Sequence, residues 1–207
     1  GKTDLCIRLA HLFSAPIVNA DSRQVYREMK IGTARPDEAE LAQARFYFVG
    51  NLSITDYYSA ARYEQDALRL LAELFRTSDY VILSGGSMMY VDAVVKGIDD
   101  IPTVPDDIRT EMKQRLESEG LEALGDELKR LDPEYHAIVD LKNPRRVLHA
   151  LEICHSTGRT YTSFRVRACK PRPFNIIKIG LNIPRPRLFE RINGRVDKMI
   201  AEGLVDE

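Results

Sequence analysis

The sequence predicts an α/β protein in which helices flank a parallel sheet. Short apolar runs at residues 15–18, 46–49, 79–84 and 175–181 are typical of buried strands, and amphipathic helical patterns separate them. Apolar residues make up 44% of the 207 residues, which is enough for the core of one large domain or of one domain with an insertion.

The helices follow from the spacing of apolar side chains and from capping residues. We predict helices over residues 37–44, 60–76, 88–96 and 184–202, with Leu68, Leu71, Ala72 and Phe75 on the inner face of the second.

The middle of the chain differs from the rest. Residues 104–140 contain charged helical patterns at 106–119 and 121–131, a short one from Pro133, and no strand. We therefore predict a helical insertion that closes over ligands as a lid. Residues 1–103 and 141–207 would then form the two parts of the α/β core.

Gly1-Lys2-Thr3 begins an amphipathic helical pattern and matches the second half of a phosphate-binding loop. In such loops backbone N–H groups cradle phosphate, the lysine reaches the outer phosphates and the threonine hydroxyl binds Mg²⁺. The same triplet also occurs by chance, so the prediction depends on what lies near it in the fold.

The first predicted strand ends in a dense group of polar side chains, Asp21-Ser22-Arg23-Gln24. Ligands bind beyond the carboxyl ends of strands in open parallel sheets. Taken alone, the segment is also explained by a strand-to-helix turn in which Asp21 or Ser22 caps the helix.

Gly85-Gly86-Ser87 forms a third junction, between a predicted strand and a predicted helix. Glycines allow the backbone to approach a ligand closely, although a glycine turn with Ser87 as a helix N-cap is an equally simple explanation. Junctions of this kind open on one edge of a parallel sheet. We therefore expect a phosphate cradle, a carboxylate base and a hydroxyl to meet there.

The chain has an acidic and a basic part. Residues 140–207 contain 14 Lys and Arg against 7 Asp and Glu, whereas residues 1–139 contain 16 against 24. This asymmetry suggests a polyanionic partner, although solvated helix faces would produce it too. Part of the positive charge lies in a predicted loop over phosphates that carries Arg165, Arg167, Lys170 and Arg172.

Arginines at two helices also point to phosphate. Arg145 and Arg146 lie in the first turn of a helix that Asn143 and Pro144 begin, where positive charge opposes the helix dipole. One face of the last helix carries Arg187, Arg191 and Arg195, which could instead extend over the core.

Three cysteines and four histidines show no metal-ligand spacing, which makes a structural zinc site improbable and favours a reducing cytoplasm. No run of 18 apolar residues predicts a membrane span.

Several segments run in order over nearly the whole chain: Gly1-Lys2-Thr3, Asp21-Ser22-Arg23-Gln24-Val25-Tyr26, Ile31-Gly32-Thr33-Ala34-Arg35-Pro36, Tyr58-Ser59-Ala60, Gly85-Gly86-Ser87-Met88-Met89-Tyr90, Pro144-Arg145-Arg146, Ala150-Leu151-Glu152, Thr157-Gly158-Arg159, Glu190-Arg191-Ile192-Asn193 and Arg195-Val196-Asp197. On these residues the sequence resembles the tRNA dimethylallyltransferases, also called tRNA isopentenyltransferases. The resemblance implies a P-loop NTPase-like α/β fold with a helical insertion.

The resemblance also implies a reaction. A dimethylallyl group would move from dimethylallyl pyrophosphate to N6 of an adenosine beside the tRNA anticodon, with the base flipped out of its loop. By the family's motifs the general base is Asp21, and the catalytic hydroxyl is Ser87, where the family usually has threonine. Residues implied to hold the pyrophosphate are Gly1, Lys2, Thr3, Arg191 and Arg195, with Mg²⁺ on Thr3. Residues implied to contact tRNA are Asp21, Ser22, Arg23, Gln24, Arg109, Arg145, Arg146, Val147, Leu148 and His149. We expect a cytoplasmic monomer with no membrane contact.

The sequence departs from the family where Arg45-Phe46 replaces a usual histidine pair, so no role transfers there. The family's pattern also extends before Gly1 and after Glu207, so we expect either a fragment or an incompletely ordered structure.

Two other functions are compatible with parts of the sequence. A P-loop kinase of a small metabolite or nucleoside would explain the phosphate loop and the lid but not the residues around Asp21. A non-catalytic RNA-binding module would explain the basic part, but it would place the Asp21 carboxylate beside phosphates that it repels.

Overall fold

The computed structural model describes residues 1–166 and 169–207. It divides into two compact units, one formed by Gly1–Ile98 with Lys170–Glu207 and the other by Asp99–Cys169. The described α-helices are α1 (Lys2–Phe13), α2 (Glu38–Leu41), α3 (Ala60–Leu74), α4 (Met88–Lys96), α5 (Asp106–Leu131), α6 (Pro133–His136), α7 (Pro144–Thr157) and α8 (Arg185–Ala201). A 3₁₀ helix spans Tyr161–Phe164.

The first unit contains a parallel sheet, which confirms the predicted α/β class. Strand β1 (Ile17–Asn19) lies between β2 (Phe46–Tyr47) and β3 (Ile82–Ser84). Ile17 pairs with residues of both neighbours. The central position buries β1 completely, as its apolar sequence predicts.

Helices α1, α3 and α4 pack against this sheet. The inner face of α3 consists of Tyr63, Ala67, Leu71 and Leu74. Ala72 and Phe75, which we placed on that face, are exposed. The predicted start at residue 60 is correct, with the Ser59 hydroxyl accepting a hydrogen bond from the backbone N–H of Arg62. The error is one of phase, because Ala72 and Phe75 each lie one residue beyond a buried leucine and are therefore turned about 100° away from the inner face.

The second unit is entirely helical in its described part. Gly120 has φ +86° and breaks α5 into the two segments that the sequence predicts. Helix α7 begins at the Asn143 cap with Pro144 in its first turn and ends at Gly158, whose φ is +67°. The core of the unit is formed by residues such as Met112, Leu124, Leu128, Val147 and Leu151.

The division of the chain differs from the predicted insertion at 104–140. Because α7 packs on α5 in one hydrophobic core, residues 141–169 belong to the helical unit and not to the sheet unit. The helical unit extends beyond residue 140 because α5 packs its apolar side chains against α7, which contributes Val147 and Leu151.

The predicted strand at 175–181 is wrong. These residues, all of them described, are irregular, and Ile177 and Ile179 are 80% and 66% exposed. An apolar alternation forms a strand only where a neighbouring strand pairs with it.

The bounds of the last helix agree with the prediction to within one residue at each end. Its apolar residues, however, do not pack into the core. In α8 only Met199 is partly buried, and the regularly spaced apolar residues Leu188, Ile192 and Val196 are exposed. No described helix is long and apolar enough to cross a membrane.

Candidate active site

The carboxyl end of β1 is fixed by buried hydrogen bonds. The Tyr63 hydroxyl donates to the carbonyl of Asn19 at 2.9 Å, and the Asn19 side-chain amide donates to the carbonyl of Phe48 at 3.0 Å. Burial raises the pKa of Tyr63, so its hydroxyl stays protonated as a donor. Tyr63 is also held in place by Tyr90, whose ring stacks on it at 4.3 Å.

Asp21 follows the end of β1 and closes a tight turn. Its Oδ1 accepts from the backbone N–H of Arg23 at 3.0 Å and of Gln24 at 3.3 Å. The segment therefore ends in a turn, and no helix begins in residues 22–26, so the predicted strand-to-helix junction is wrong at this point. Asp21 makes the cap-like hydrogen bonds, which we considered possible for Asp21 or Ser22.

Two glycines after β3 bring the neighbouring strand end close to Asp21. A Cβ placed on Gly85 would lie 2.0 Å from the carbonyl oxygen of Ala20, which no side chain tolerates. A Cβ on Gly86 would lie 2.8 Å from Oδ2 of Asp21 and 3.7 Å from Nζ of Lys2. The carboxylate and the ammonium group thus approach the same glycine, as the junction argument predicts.

Ser87 joins the same group of residues through its hydroxyl. Its Oγ accepts from the backbone N–H of Ser22 at 2.8 Å and donates to the Ser22 hydroxyl at 2.9 Å. Ser87 precedes α4, but its side chain makes no capping hydrogen bond to that helix, which the structure describes in full. The simple N-cap explanation is therefore wrong, and Ser87 fixes the turn that carries Asp21.

A cavity of about 290 Å³ unites these elements. Its wall includes Gly1, Lys2 and Thr3 at the start of α1, Asp21 and Gln24, Ser84 to Gly86, Thr33 and Ala34, and Arg191 and Arg195 of α8. Lys2 and the two arginines provide positive charge for a phosphate-bearing ligand, while Asp21 provides a proton acceptor. The size is near the lower end of ordinary small-molecule sites.

A second cavity, of about 360 Å³, is larger but lies away from these groups. Its wall is formed by Tyr47, Phe48, Asn51, Asp66, Arg69, Leu70 and Glu73. We place the candidate site at the smaller cavity, because only that one combines the strand ends with phosphate-binding side chains.

The cavity suits Mg²⁺ with help from a ligand. Thr3 lines it, and a hard oxygen donor such as the threonine hydroxyl is what Mg²⁺ prefers. Among the described residues there is no group of three or more His, Cys, Asp or Glu able to hold a metal ion. A metal ion in this cavity would therefore need ligands beyond the carboxylates of the described residues.

The loop at Ile31-Gly32-Thr33-Ala34 has a role that sequence reasoning did not assign. The Gln24 side-chain amide donates to the carbonyls of Thr33 at 2.9 Å and Ala34 at 3.1 Å. The loop thereby forms one wall of the cavity and holds the residue that hydrogen-bonds to Asp21. The sequence contains the loop motif but does not indicate that the Gln24 side chain binds it.

The residues predicted to contact tRNA in the helical unit divide into two groups. Arg145, Arg146 and His149 have exposed side chains on α7, and the half-buried Arg109 lies on α5. Val147 and Leu148 are 0% and 9% exposed in the core. Helical periodicity turns these two side chains inward, and the tRNA contact of the segment stays a prediction.

Several cations of the predicted basic loop interact with other side chains of the protein. Arg172 is buried and donates to Glu64 at 2.6 Å, and the Arg165 guanidinium lies 5.0 Å from the ring centre of Tyr135. Lys170 Nζ lies 3.8 Å from the Glu64 carboxylate. Arg167 lies outside the described residues. The expectation that Arg172 contacts phosphate is therefore wrong, because charge counting cannot identify a buried partner.

Two comparisons of the sequence with known proteins point to one family. The family model described as IPP transferase matches residues 24–207. The tRNA dimethylallyltransferase 1 of Bacteroides thetaiotaomicron is 59% identical over 207 residues, which are 100% of this chain and 67% of that protein.

Solved structures share the fold. The full-length tRNA isopentenylpyrophosphate transferase of Bacillus halodurans has a TM-score of 0.62 and 34% identity, over 100% of this chain and 64% of its own. A eukaryotic dimethylallyltransferase acting on tRNA has a TM-score of 0.71 at 22% identity, over 100% of this chain and 51% of its own, and so supports the fold alone. The chain spans about two thirds of the length of the two bacterial relatives. With its sheet, its strand-end site and these matches, the chain belongs to the IPP transferase family.

Proposed function

We propose that the chain is the catalytic part of an enzyme that transfers a dimethylallyl group from dimethylallyl pyrophosphate to N6 of an adenosine next to the tRNA anticodon. The observation that carries this proposal is the approach of Asp21 Oδ2 and Lys2 Nζ to Gly86 in one cavity. A base and a phosphate-binding cation beside one glycine suit a transfer in which pyrophosphate leaves and a proton is lost. The names of the relatives supply the substrate pair.

The pyrophosphate occupies the basic side of the cavity. Lys2, Arg191 and Arg195 offset its negative charge, which grows as the bond to the dimethylallyl carbon breaks. Mg²⁺ bound at Thr3 would add positive charge to the same leaving group. The backbone N–H groups at the start of α1 point in the direction that favours an anion.

Asp21 accepts the proton. An exocyclic amine conjugated to a purine ring is a weak nucleophile, so its attack needs a base that removes an N6 proton as the new C–N bond forms. The atoms balance: the amine loses a proton to Asp21 Oδ2, the carbon–oxygen bond breaks, and pyrophosphate takes the bonding electrons. The hydrogen bonds to Oδ1 leave Oδ2 available for this proton.

Ser87 supports the base. Its two hydrogen bonds to Ser22 fix the residue next to Asp21. A serine suffices for these contacts, which explains how the site works without the threonine methyl group that is usual in the family.

The tRNA contacts are proposed for the exposed cations of the helical unit, Arg145, Arg146 and His149. Phosphate contacts of this kind release counterions, so affinity should fall steeply with salt, and each lost contact should reduce the slope by about one. We also propose a cytoplasmic monomer. The buried free thiols of Cys6 and Cys154 are compatible with a reducing compartment, and sedimentation of the full-length protein measures the oligomeric state.

The function is tested with the full-length protein, isotopically labelled dimethylallyl pyrophosphate, Mg²⁺ and tRNA that lacks the modification. We expect label on N6 of one adenosine beside the anticodon and none on a matched tRNA with guanosine at that position. Absence of label on both tRNAs, together with ATP-dependent phosphorylation of a small molecule, would replace the proposal with the kinase.

A further inference from the structure

The carboxylate of Glu207 occupies an anion-binding site formed by backbone N–H groups of residues 30–32, in the loop that lines the cavity. Glu207 Oε1 accepts from the backbone N–H groups of Lys30 at 2.5 Å and Ile31 at 2.7 Å, and its Oε2 accepts from Gly32 at 2.7 Å. Three consecutive N–H groups that converge on one anion form a nest. The hydrogen bonds from Gly32 and Ile31 hold the pKa of Glu207 below its usual value, so the carboxylate is ionised at neutral pH.

This contact matters because α8 has little else to hold it. The helix is exposed along its length apart from the partly buried Met199, so an apolar face does not fix its position. After the helix, Gly203 takes φ +95° and turns the chain. Leu204 then lies against the loop, since a Cβ on Gly32 would be 3.0 Å from Leu204 Cδ1.

The two elements that Glu207 joins are both parts of the site. Helix α8 supplies Arg191 and Arg195 to the cavity wall. The loop supplies Thr33 and Ala34, whose carbonyls hold Gln24 next to Asp21. One carboxylate therefore links the arginine side of the cavity to the side that carries the base.

We propose that Glu207 is a positioning residue that holds α8 against the loop at residues 30–34 and so places Arg191 and Arg195 over the leaving pyrophosphate. The inference rests on the proposed function for its substrate, but the linkage itself can be measured by pyrophosphate binding alone. Glu207 itself contacts neither dimethylallyl pyrophosphate nor tRNA. It acts through the two arginines.

The test compares Glu207→Gln with wild type in the full-length protein. Glutamine keeps the length of the side chain and loses the charge that the nest holds. We expect binding of inorganic pyrophosphate with Mg²⁺ to weaken about tenfold, because a misplaced binding group loses much of its effect. The KM for dimethylallyl pyrophosphate should rise by a similar factor and kcat should fall, because the two arginines also offset charge that grows as the bond breaks, while the KM for tRNA changes less than about threefold.

The matched control is Glu202→Gln, which removes a carboxylate near the same helix end whose ion pair with Lys198 spans 3.5 Å on the surface. It should leave pyrophosphate binding unchanged. Gly32→Ala disturbs the same contact from the other side and should weaken pyrophosphate binding in the same direction as Glu207→Gln.

Two results would overturn the proposal: wild-type pyrophosphate affinity in Glu207→Gln, or full recovery of a Glu207→Ala variant by added acetate. Acetate can fill the nest but cannot connect it to α8, so recovery would mean that the nest needs only an anion. If wild type binds pyrophosphate and does not prenylate tRNA, the proposed function fails and the linkage stands on the binding data.

Discussion

Replacing Arg172 with methionine should destabilise the sheet unit without a specific effect on tRNA binding. Arg172 is buried and donates to Glu64 at 2.6 Å and to the carbonyls of Val94 at 2.8 Å and Ala93 at 2.7 Å. Removing one partner of a buried ion pair costs about 3–5 kcal/mol, because the other charge is left without its partner.

The remaining contacts of Glu64 place the expected loss near the lower end of that range. Its carboxylate also accepts from the backbone N–H of Ile98 at 3.2 Å and lies 3.8 Å from Lys170 Nζ. At about 2–4 °C per kcal/mol for a chain of this size, a loss of about 3 kcal/mol lowers Tm by roughly 6–12 °C.

Urea and thermal unfolding measure this loss, and a double-mutant cycle with Glu64→Leu isolates the pair. We expect the double variant to recover about 2 kcal/mol relative to the sum of the single variants, because two apolar side chains leave no buried charge. The prediction is wrong if Arg172→Met lowers the free energy of unfolding by less than about 1 kcal/mol and also reduces the salt slope of tRNA binding by about one. Those two results together would indicate that Arg172 contacts a tRNA phosphate.

Three further outcomes follow from the same geometry. Gly85→Ala should abolish transfer and lower the free energy of unfolding by about 3 kcal/mol or more, since its Cβ would meet the Ala20 carbonyl at 2.0 Å; denaturation and transfer assays measure both. Tyr63→Phe should cost about 1–2 kcal/mol and slow transfer, because it removes the donor at the end of β1, whereas Tyr80→Phe on the surface should change neither. Burial alone would raise the pKa of Glu127, but the hydrogen bonds from Arg115 lower it below 4.5. Its stabilisation is therefore present above pH 4.5 and lost as pH falls through the lower folded value, and Arg115→Gln should make thermal unfolding less sensitive to acid between pH 6 and 3.

Local signals predicted the parts of the fold that depend on neighbours in sequence. The bounds of α4 match the prediction because a strand, two glycines and Ser87 precede it and Gly97, with φ +84°, ends it. The break at Gly120 and the start of α7 at Asn143 follow from the same kind of local chemistry. The meeting of Lys2, Asp21 and Gly86 followed from topology, because parallel strands end on one edge.

Contacts between distant residues could not be predicted in this way. Nothing near Arg172 in the sequence indicates that its partner is Glu64, 108 residues away. Glu207 likewise binds a loop about 175 residues earlier, through backbone N–H groups that have no sequence signature. The strand predicted at 175–181 failed for a related reason, since an apolar alternation does not specify whether a partner strand is present.

Single-turnover transfer by Asp21→Asn measures whether Asp21 takes the N6 proton. Asparagine retains an oxygen for the hydrogen bonds from Arg23 and Gln24, so the turn should persist while the base is lost. We predict that transfer to tRNA slows by about a hundredfold or more, with tRNA and pyrophosphate affinities within about threefold of wild type. Transfer at the wild-type rate by this variant would show that Asp21 is not the base.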